Sequence, residues 1–328
     1  MKKFLIIQTA SIGDVILASS MVEKLKQFYP DAEIDFLLKK GVEELFFGHP
    51  HIHQLLLWDK GKEKYRNLRK LIRLIRKYQY DCVINVQRFA GTGLITMLSG
   101  AKKKIGFSKN PFSLFFSKRV KHRIGKSDIH EIERNHLLIR QLTDDEPGQV
   151  RLYPTNRDFA ATSQYKTNAF VSVAPASLWY TKQYPESKWI EFIADIDPSL
   201  YIYFLGSGKD RPMCDRIIDE SKHPHCLNLA GKLSLLETAA LMKDARMNFV
   251  NDSAPLHLAS AMNAPVTAVF CSTIPEFGFG PLSDDAVVVQ TEKELACKPC
   301  GLHGLDTCPE NHFECAQTID KEQLLKRI

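Results

Sequence analysis

FLIIQTASIGDVILASSM, residues 4–21, decides how the rest of the chain is read. A short apolar run, residues 4–7, gives way to small polar residues and a Gly-Asp pair. Apolar residues then recur with helical spacing at Ile12, Val15, Ile16, Val22, Leu25 and Phe28. Strand, glycine turn and helix in that order open a βαβ unit, whose helix start ordinarily receives phosphate. Yet the dinucleotide fingerprint G-x-G-x-x-G is missing, and a carboxylate, Asp14, stands where phosphate would bind. A nicotinamide oxidoreductase is disfavoured on that ground, and the task of Asp14 is left open.

The same grammar continues along the chain. EIDFLL (33–38), HQLLLW (53–58) and DCVINVQ (81–87) read as strands, with a short helix in VEELFFGHP (42–50) and a long basic helix over 62–79. In the second half FVSVAP (170–175), YIYFLGS (201–207), CLNLAG (226–231), MNFVNDS (247–253) and APVTAVFCS (264–272) read as strands. Helices are expected from about Pro185, from about Arg211, over 235–245 and over 255–262. Strands alternating with helices imply parallel sheets. A length of 328 residues suggests about two domains. The polar stretch PTNRDFAATSQYKTN (154–168) is the expected linker. The predicted architecture is α/β, with two Rossmann-like domains, 1–156 and 157–328, whose parallel sheets face a common cleft. Ligands in such folds sit at the carboxyl ends of the strands.

Composition narrows the class. Hydrophobic residues make up 44% and charged residues 25%, an ordinary globular balance, and the net charge is +6. No segment holds eighteen apolar residues in a row, so no membrane span is expected. The opening KKFLII is too short for a secretion signal and Asp14 interrupts its extension, which predicts a cytoplasmic protein with reduced thiols.

Three strand-to-helix junctions of the second half carry chemistry. In APASLWYTKQYP (174–185), Ser177 lies in a tight loop and Lys182 follows; backbone N–H groups plus a lysine suit a diphosphate, and a solvated surface loop is the alternative. In FLGSGKDRP (204–212), two glycines permit a tight turn and Asp210 could take ribose hydroxyls. In NDSAPLHLASAM (251–262), Asp252 or Ser253 can cap a helix with Pro255 in its first turn, and such a helix start attracts an anion. His257 in that helix is either a ligand contact or a structural histidine.

Together SIGDVILASSM, ASLWYTKQYP, NDSAPLHLASAM and the end CKPCGLHGLDTCPENHFEC (297–315) resemble glycosyltransferase family 9, the bacterial ADP-heptose:lipopolysaccharide heptosyltransferases, over nearly the whole chain. The resemblance implies a GT-B fold with the nucleotide-sugar donor in the C-terminal domain. It implies an inverting, metal-independent transfer of a heptose from ADP-heptose to a lipopolysaccharide inner-core acceptor. Asp14 would be the general base. Lys182 and the helix start at Ser253 and Ala254 would steady the leaving diphosphate. Ser177 and Lys182 would touch the diphosphate, Asp210 the nucleoside, and Asp252, Ser253, Ala254 and His257 the diphosphate and sugar. Two departures stand out: Asp252-Ser253-Ala254 where the family often has Asp-Thr-Gly, and Tyr184-Pro185 where Trp-Pro is commoner. The implied location is the cytoplasmic face of the inner membrane, as a peripheral protein. The same fold with another donor or acceptor, and a non-catalytic nucleotide-sugar binding module independent of Asp14, are the alternatives.

Residues 60–77 hold nine Lys and Arg against one acid, which suits a solvated helix face. Residues 102–126 hold nine and no acid, interleaved with Phe107, Phe112, Phe115 and Phe116. That pattern fits an anionic membrane surface or glycolipid acceptor, with Lys102, Lys103, Lys104 and Arg123 as candidate acceptor contacts. No recognition motif accompanies it, so nucleic acid is not an expected partner. Asp195-Ile196-Asp197 reads as a turn rather than a metal-holding D-x-D. Cys297, Cys300, Cys308 and Cys315, with His303 and His312 between them, could hold a structural zinc or form a thiol-rich loop. Cys82, Cys214, Cys226 and Cys271 lie in or beside apolar segments and read as core thiols.

Overall fold

The apolar runs of the first half become the strands of one parallel sheet. The computed structural model describes residues 1–61, 63–125 and 129–328. Among these, strands β1 (Lys3–Ile7), β2 (Glu33–Lys39), β3 (Gln54–Trp58), β4 (Cys82–Asn85), β5 (Lys103–Phe107) and β6 (Lys118–Val120) pair in the order β3-β2-β1-β4-β5-β6. Helices α1 (Ile12–Phe28), α2 (Lys64–Tyr78), α3 (Ala90–Leu98) and α4 (Glu131–His136) belong to this unit, which spans Met1–Tyr153. Parallel strands covered on both faces read as continuous apolar runs, and Leu5, Ile6 and Ile7 are indeed fully buried.

The second unit, Pro154–Ile328, repeats the plan. Strands β7 (Phe170–Ala174), β8 (Tyr201–Phe204), β9 (Cys226–Asn228), β10 (Asn248–Asn251), β11 (Val266–Val269) and β12 (Ala286–Val289) pair in the order β12-β11-β10-β7-β8-β9. Helices α5 (Asn156–Thr162), α6 (Glu186–Ala194), α7 (Arg211–Ser221), α8 (Leu235–Lys243) and α9 (Ala254–Ala261) accompany them. Read from its own first strand, each sheet has the 3-2-1-4-5-6 order of a doubly wound fold. The strand order reverses between β1 and β4 in one unit and between β7 and β10 in the other, and ligands bind at such switch points.

Several expectations change. The polar stretch 154–168 is not a bare linker. Thr155 and Asp158 form a capping box, with Thr155 Oγ1 donating to Asp158 Oδ2 at 2.8 Å, and this starts α5. The units divide at Tyr153/Pro154. The basic run 102–126 conceals β5 and β6, because edge positions of a strand tolerate lysine and mask alternation. Val287 and Val288 mark β12, whose half-buried strand was not anticipated. The basic helix begins at Lys64, with Lys62 outside the described residues. Its Leu68, Leu71, Ile72 and Ile75 face the core while its cations face solvent, the amphipathic pattern of a covering helix. Asp197 Oδ1 accepts from the Ser199 N–H at 2.8 Å, so the Asp-Ile-Asp segment is a turn.

At the amino end of the first sheet, Glu23 of α1 gathers His51 (3.2 Å) and the Tyr153 hydroxyl (3.0 Å). His49 packs edge-on against Tyr153 and lies 3.5 Å from Glu23. Burial holds the His49 imidazole at about 3, far below its ordinary 6.5, with His51 pushing the same way. His49 is therefore neutral at pH 7, and its approach to Glu23 is not an ion pair.

Candidate active site

In the second unit the three loops leaving β7, β10 and β11 converge at the switch point. Asn251, the last residue of β10 and fully buried, stitches the first of them. Its side chain accepts from the Tyr184 N–H at 3.0 Å and donates to the Pro175 carbonyl at 2.6 Å, bracketing both ends of the 175–184 loop. Lys182 then meets Asp252, Nζ to Oδ2 at 2.6 Å, with side-chain exposures of 16% and 7%. Thr273, beyond β11, donates to the same Asp252 oxygen at 2.6 Å. A lysine held by a buried carboxylate is aimed before any ligand arrives, and the pair leaves little net charge to desolvate. Asp252 thus anchors Lys182.

Ser253 precedes α9 but does not cap it. Its hydroxyl donates back to the Asn251 carbonyl at 3.3 Å and makes no cap hydrogen bond to the helix. Ala254 and Pro255 form its first turn, and His257 is buried one turn in, at 5% exposure. The start of α9 therefore presents N–H groups and the positive end of the helix dipole next to the Lys182–Asp252 pair. Ser177 is half-buried, and its carbonyl accepts from the Gln183 side chain at 2.8 Å. Tyr184 lies in the core, edge-on against Trp189 at 5.1 Å, so an aromatic before Pro185 serves packing.

Asp210 Oδ2 accepts from both the N–H (2.7 Å) and the hydroxyl (2.8 Å) of Ser207, which closes the β8–α7 turn. Gly231, at φ +72, lets Gly208 pack against it: a Cβ there would come within 2.6 Å of the Gly208 Cα.

The cysteine-rich end packs behind Lys182. Thr181 donates its N–H to the Leu305 carbonyl (3.1 Å) and its hydroxyl oxygen accepts from the Leu305 N–H (2.8 Å). A Cβ on Gly304 would collide with Trp179 and Lys182. Sequence reasoning missed this buttress, as it missed Asn251. Among the described residues no three His, Cys, Asp or Glu side chains converge where a metal could sit. Burial pushes the Cys315 thiol up to about 12, with the neighbouring thiols adding to it, and burial raises Cys300 as well. Cys82, Cys214 and Cys271 are buried and Cys226 half-buried, all as free thiols.

In the first unit, Asp14 sits in the first turn of α1, just past the carboxyl end of β1, and is half-buried. It completes a capping box: its Oδ2 accepts from the Ser11 hydroxyl (2.5 Å) and N–H (3.3 Å). That bonding fixes the carboxylate at the carboxyl edge of the sheet. Beside it lies a depression of about 780 Å³ lined by Thr9, Ser11, Lys39, Lys40, Asp59 and Lys60 among others. Lys60 donates to the carbonyl (2.9 Å) and hydroxyl (3.0 Å) of Thr9. Burial and the charges of Lys39 and Lys64 lower its pKa, which marks a cationic field with room for an anion.

The expected acceptor lysines are elsewhere. Lys102, Lys103 and Lys104 lie at the amino end of β5, the edge opposite Asp14, and Lys102 pairs with Asp81 at 2.7 Å. In a parallel sheet the amino and carboxyl edges are a strand length apart, so these three do not join the site. Arg123 follows β6 on the carboxyl side and is exposed; Lys126 of the same run is outside the described residues. Phe107 and Phe116 belong to the core, and Phe115 is exposed.

Residues 68–304 match the model of glycosyltransferase family 9 (heptosyltransferase). The chain is 26% identical over 279 residues to lipopolysaccharide heptosyltransferase 3 of Escherichia coli, covering 80% of this chain and 81% of that one. Among solved structures, a family 9 glycosyl transferase from Veillonella parvula superposes with a TM-score of 0.87 at 20% identity, covering 99% of this chain and 96% of that one. The E. coli ADP-heptose lps heptosyltransferase II superposes at 0.79 with 21% identity, covering 100% and 97%. These likenesses show the two-unit GT-B fold. No helix of the described residues is long and apolar enough to cross a membrane.

Proposed function

The chain belongs to glycosyltransferase family 9 (heptosyltransferase), and from that premise we propose that it moves a heptose from ADP-heptose to an anionic, lipid-linked lipopolysaccharide core acceptor, inverting the anomeric carbon. The observation that carries the reading is the Lys182–Asp252 pair at the switch point of the second sheet, beside the uncapped start of α9. A nucleoside diphosphate brings negative charge that grows as the sugar–phosphate bond breaks. A pre-aimed ammonium and a helix N-terminus answer that charge without reorganising. Ser177, Ser253, Ala254 and His257 border this place, and their contact with the donor is part of the proposal.

The chemistry balances with the chain's own groups. Asp14 accepts the proton of the acceptor hydroxyl as that oxygen forms its bond to the anomeric carbon. The bond from that carbon to the phosphate oxygen breaks on the opposite face, and ADP leaves with the electron pair toward Lys182. No step calls on a metal. The role of Asp14 is supported by its place at the carboxyl end of β1, at the switch point of the first sheet. The depression with Lys39, Lys40 and Lys60 suits the acceptor's anionic groups, in place of Lys102–Lys104. The acceptor being lipid-linked, the protein works as a peripheral protein on the cytoplasmic face of the inner membrane.

Asp14→Asn tests the enzyme reading against a mere binding module. Asparagine can still accept the Ser11 N–H and hydroxyl hydrogen bonds. Transfer from ADP-heptose should fall about 10²- to 10⁴-fold while ADP affinity stays unchanged. Transfer at the wild-type rate would reduce Asp14 to a helix cap.

A further inference from the structure

The carboxyl edge of the first sheet carries a second feature that neither donor nor acceptor chemistry uses. Phe89 follows β4 and is 66% exposed; Leu114 and Phe115, in the turn Ser113–Phe115 after β5, are 79% and 60% exposed. Large apolar side chains this bare are ordinary singly and informative when neighbours. Here one residue ties together the two loops that carry them. Asn110, 2% exposed, donates to the Phe89 carbonyl (3.0 Å) and the Gln87 carbonyl (3.1 Å) and accepts from the Phe112 N–H (2.9 Å). The Gln87 side chain in turn donates to Gln8, whose Oε1 also receives the Ala10 N–H at 3.2 Å, one residue before Ser11. Three buried amides thus lace the loops after β1, β4 and β5 together, with the Asp14 turn at one end and the bare apolar side chains at the other.

The segment that carries these loops has charge of one sign. Residues 82–127 contain no Asp or Glu at all. Arg88 precedes Phe89 and Lys109 precedes Asn110, so each apolar loop carries its own cation; exposed Lys121 and Arg123 follow β6 on the same edge. Apolar tips with a cationic rim match the boundary between acyl chains and anionic headgroups.

We propose that Phe89, Leu114 and Phe115 dock the first unit on an anionic lipid bilayer. The inference rests on the acceptor being lipid-linked: docking through these loops holds the unit at the plane where such an acceptor lies.

The test is flotation of the full-length protein with vesicles of equal parts phosphatidylethanolamine and phosphatidylglycerol, and with pure phosphatidylcholine. Wild type should float with the anionic vesicles and not the neutral ones, less so in high salt. Leu114→Ser/Phe115→Ser should cut partitioning at least about tenfold, with an unchanged melting temperature because both side chains are exposed. Leu114→Trp should show blue-shifted emission on adding the anionic vesicles. Wild-type partitioning by the double variant, no vesicle binding by wild type, or a face that instead drives self-association of two copies would each overturn the proposal. ADP titration of the same samples separates the two readings: absent ADP binding counts against the transferase, and unchanged vesicle binding counts against the docking face alone.

Discussion

Asn251→Ala removes a side chain that touches no ligand in the account yet holds the loop on which Lys182 rides. The residue is fully buried, and both of its hydrogen bonds go to backbone groups of the 175–184 loop. Truncation strands the Tyr184 N–H and the Pro175 carbonyl in the interior. A buried polar group without its partner costs roughly 1–3 kcal/mol, so the two together come to about 2–6 kcal/mol. For a unit the size of Pro154–Ile328, at about 2–4 °C per kcal/mol, the melting temperature should drop by roughly 4–24 °C. Asn251→Asp is the sharper variant. Its carboxylate keeps the bond from Tyr184 but turns an oxygen toward the Pro175 carbonyl at a place where an N–H stood 2.6 Å away. It should be no more stable than the alanine variant at neutral pH, and should recover part of the loss in acid, where a protonated carboxyl can donate. Urea denaturation followed by fluorescence, together with ADP titration below the transition, reads both consequences: lower stability, and ADP affinity reduced about tenfold as the loop loses its position. A stability loss under about 0.5 kcal/mol for Asn251→Ala, or an ADP affinity equal to wild type, would refute the claim that this amide organises the site.

Two other outcomes follow from the first unit. His49 is held at about 3 against an ordinary 6.5. Because the folded state resists protonation, its contribution to stability is complete above pH 6.5 and is lost as pH falls from there toward 3; at pH 5 the loss is about 2 kcal/mol. Denaturation midpoints at pH 7.5 and pH 5 should show this for wild type, and His49→Gln should flatten the difference; an equal slope in both would remove His49 as its source. Lys39→Ala/Lys40→Ala should raise KM for the acceptor roughly tenfold and leave ADP affinity alone, with the defect shrinking in high salt. A changed ADP affinity and an unchanged acceptor KM would reverse the assignment of the two units.

Periodicity and turn chemistry made much of this legible. The runs read as strands at 4–7, 33–38, 170–175 and 247–253 all became strands of parallel sheets, because a strand covered on both faces has little polar side to blur it. The edge strands β6 and β12 were hidden, since edge strands mix lysine or short length into the pattern, and β5 was hidden because its two leading lysines merge with the basic run. At the site, residue type and order pointed to Lys182, Asp252 and Asp14. What they could not convey was who faces whom. That Asp252 grips Lys182 while Asp210 turns back on Ser207 depends on side-chain direction, which spacing along a chain does not encode. Lys102–Lys104 misled for a related reason: a cationic run signals charge, but the strand it begins decides which edge of the sheet receives it. Asn251 and Asn110 gave no signal beyond being amides at strand ends, and their roles emerge only from the loops they join.

In the proposed reaction the switch point of the second unit holds the diphosphate of ADP. Calorimetric titration of the protein with ADP, UDP, GDP and CDP, without added metal and alongside Lys182→Ala, tests it most directly. The account predicts binding of ADP in preference to the others, weakened at least about tenfold in Lys182→Ala by the loss of a charge-assisted contact. Equal binding of all four, or Lys182→Ala binding ADP as wild type does, would contradict it.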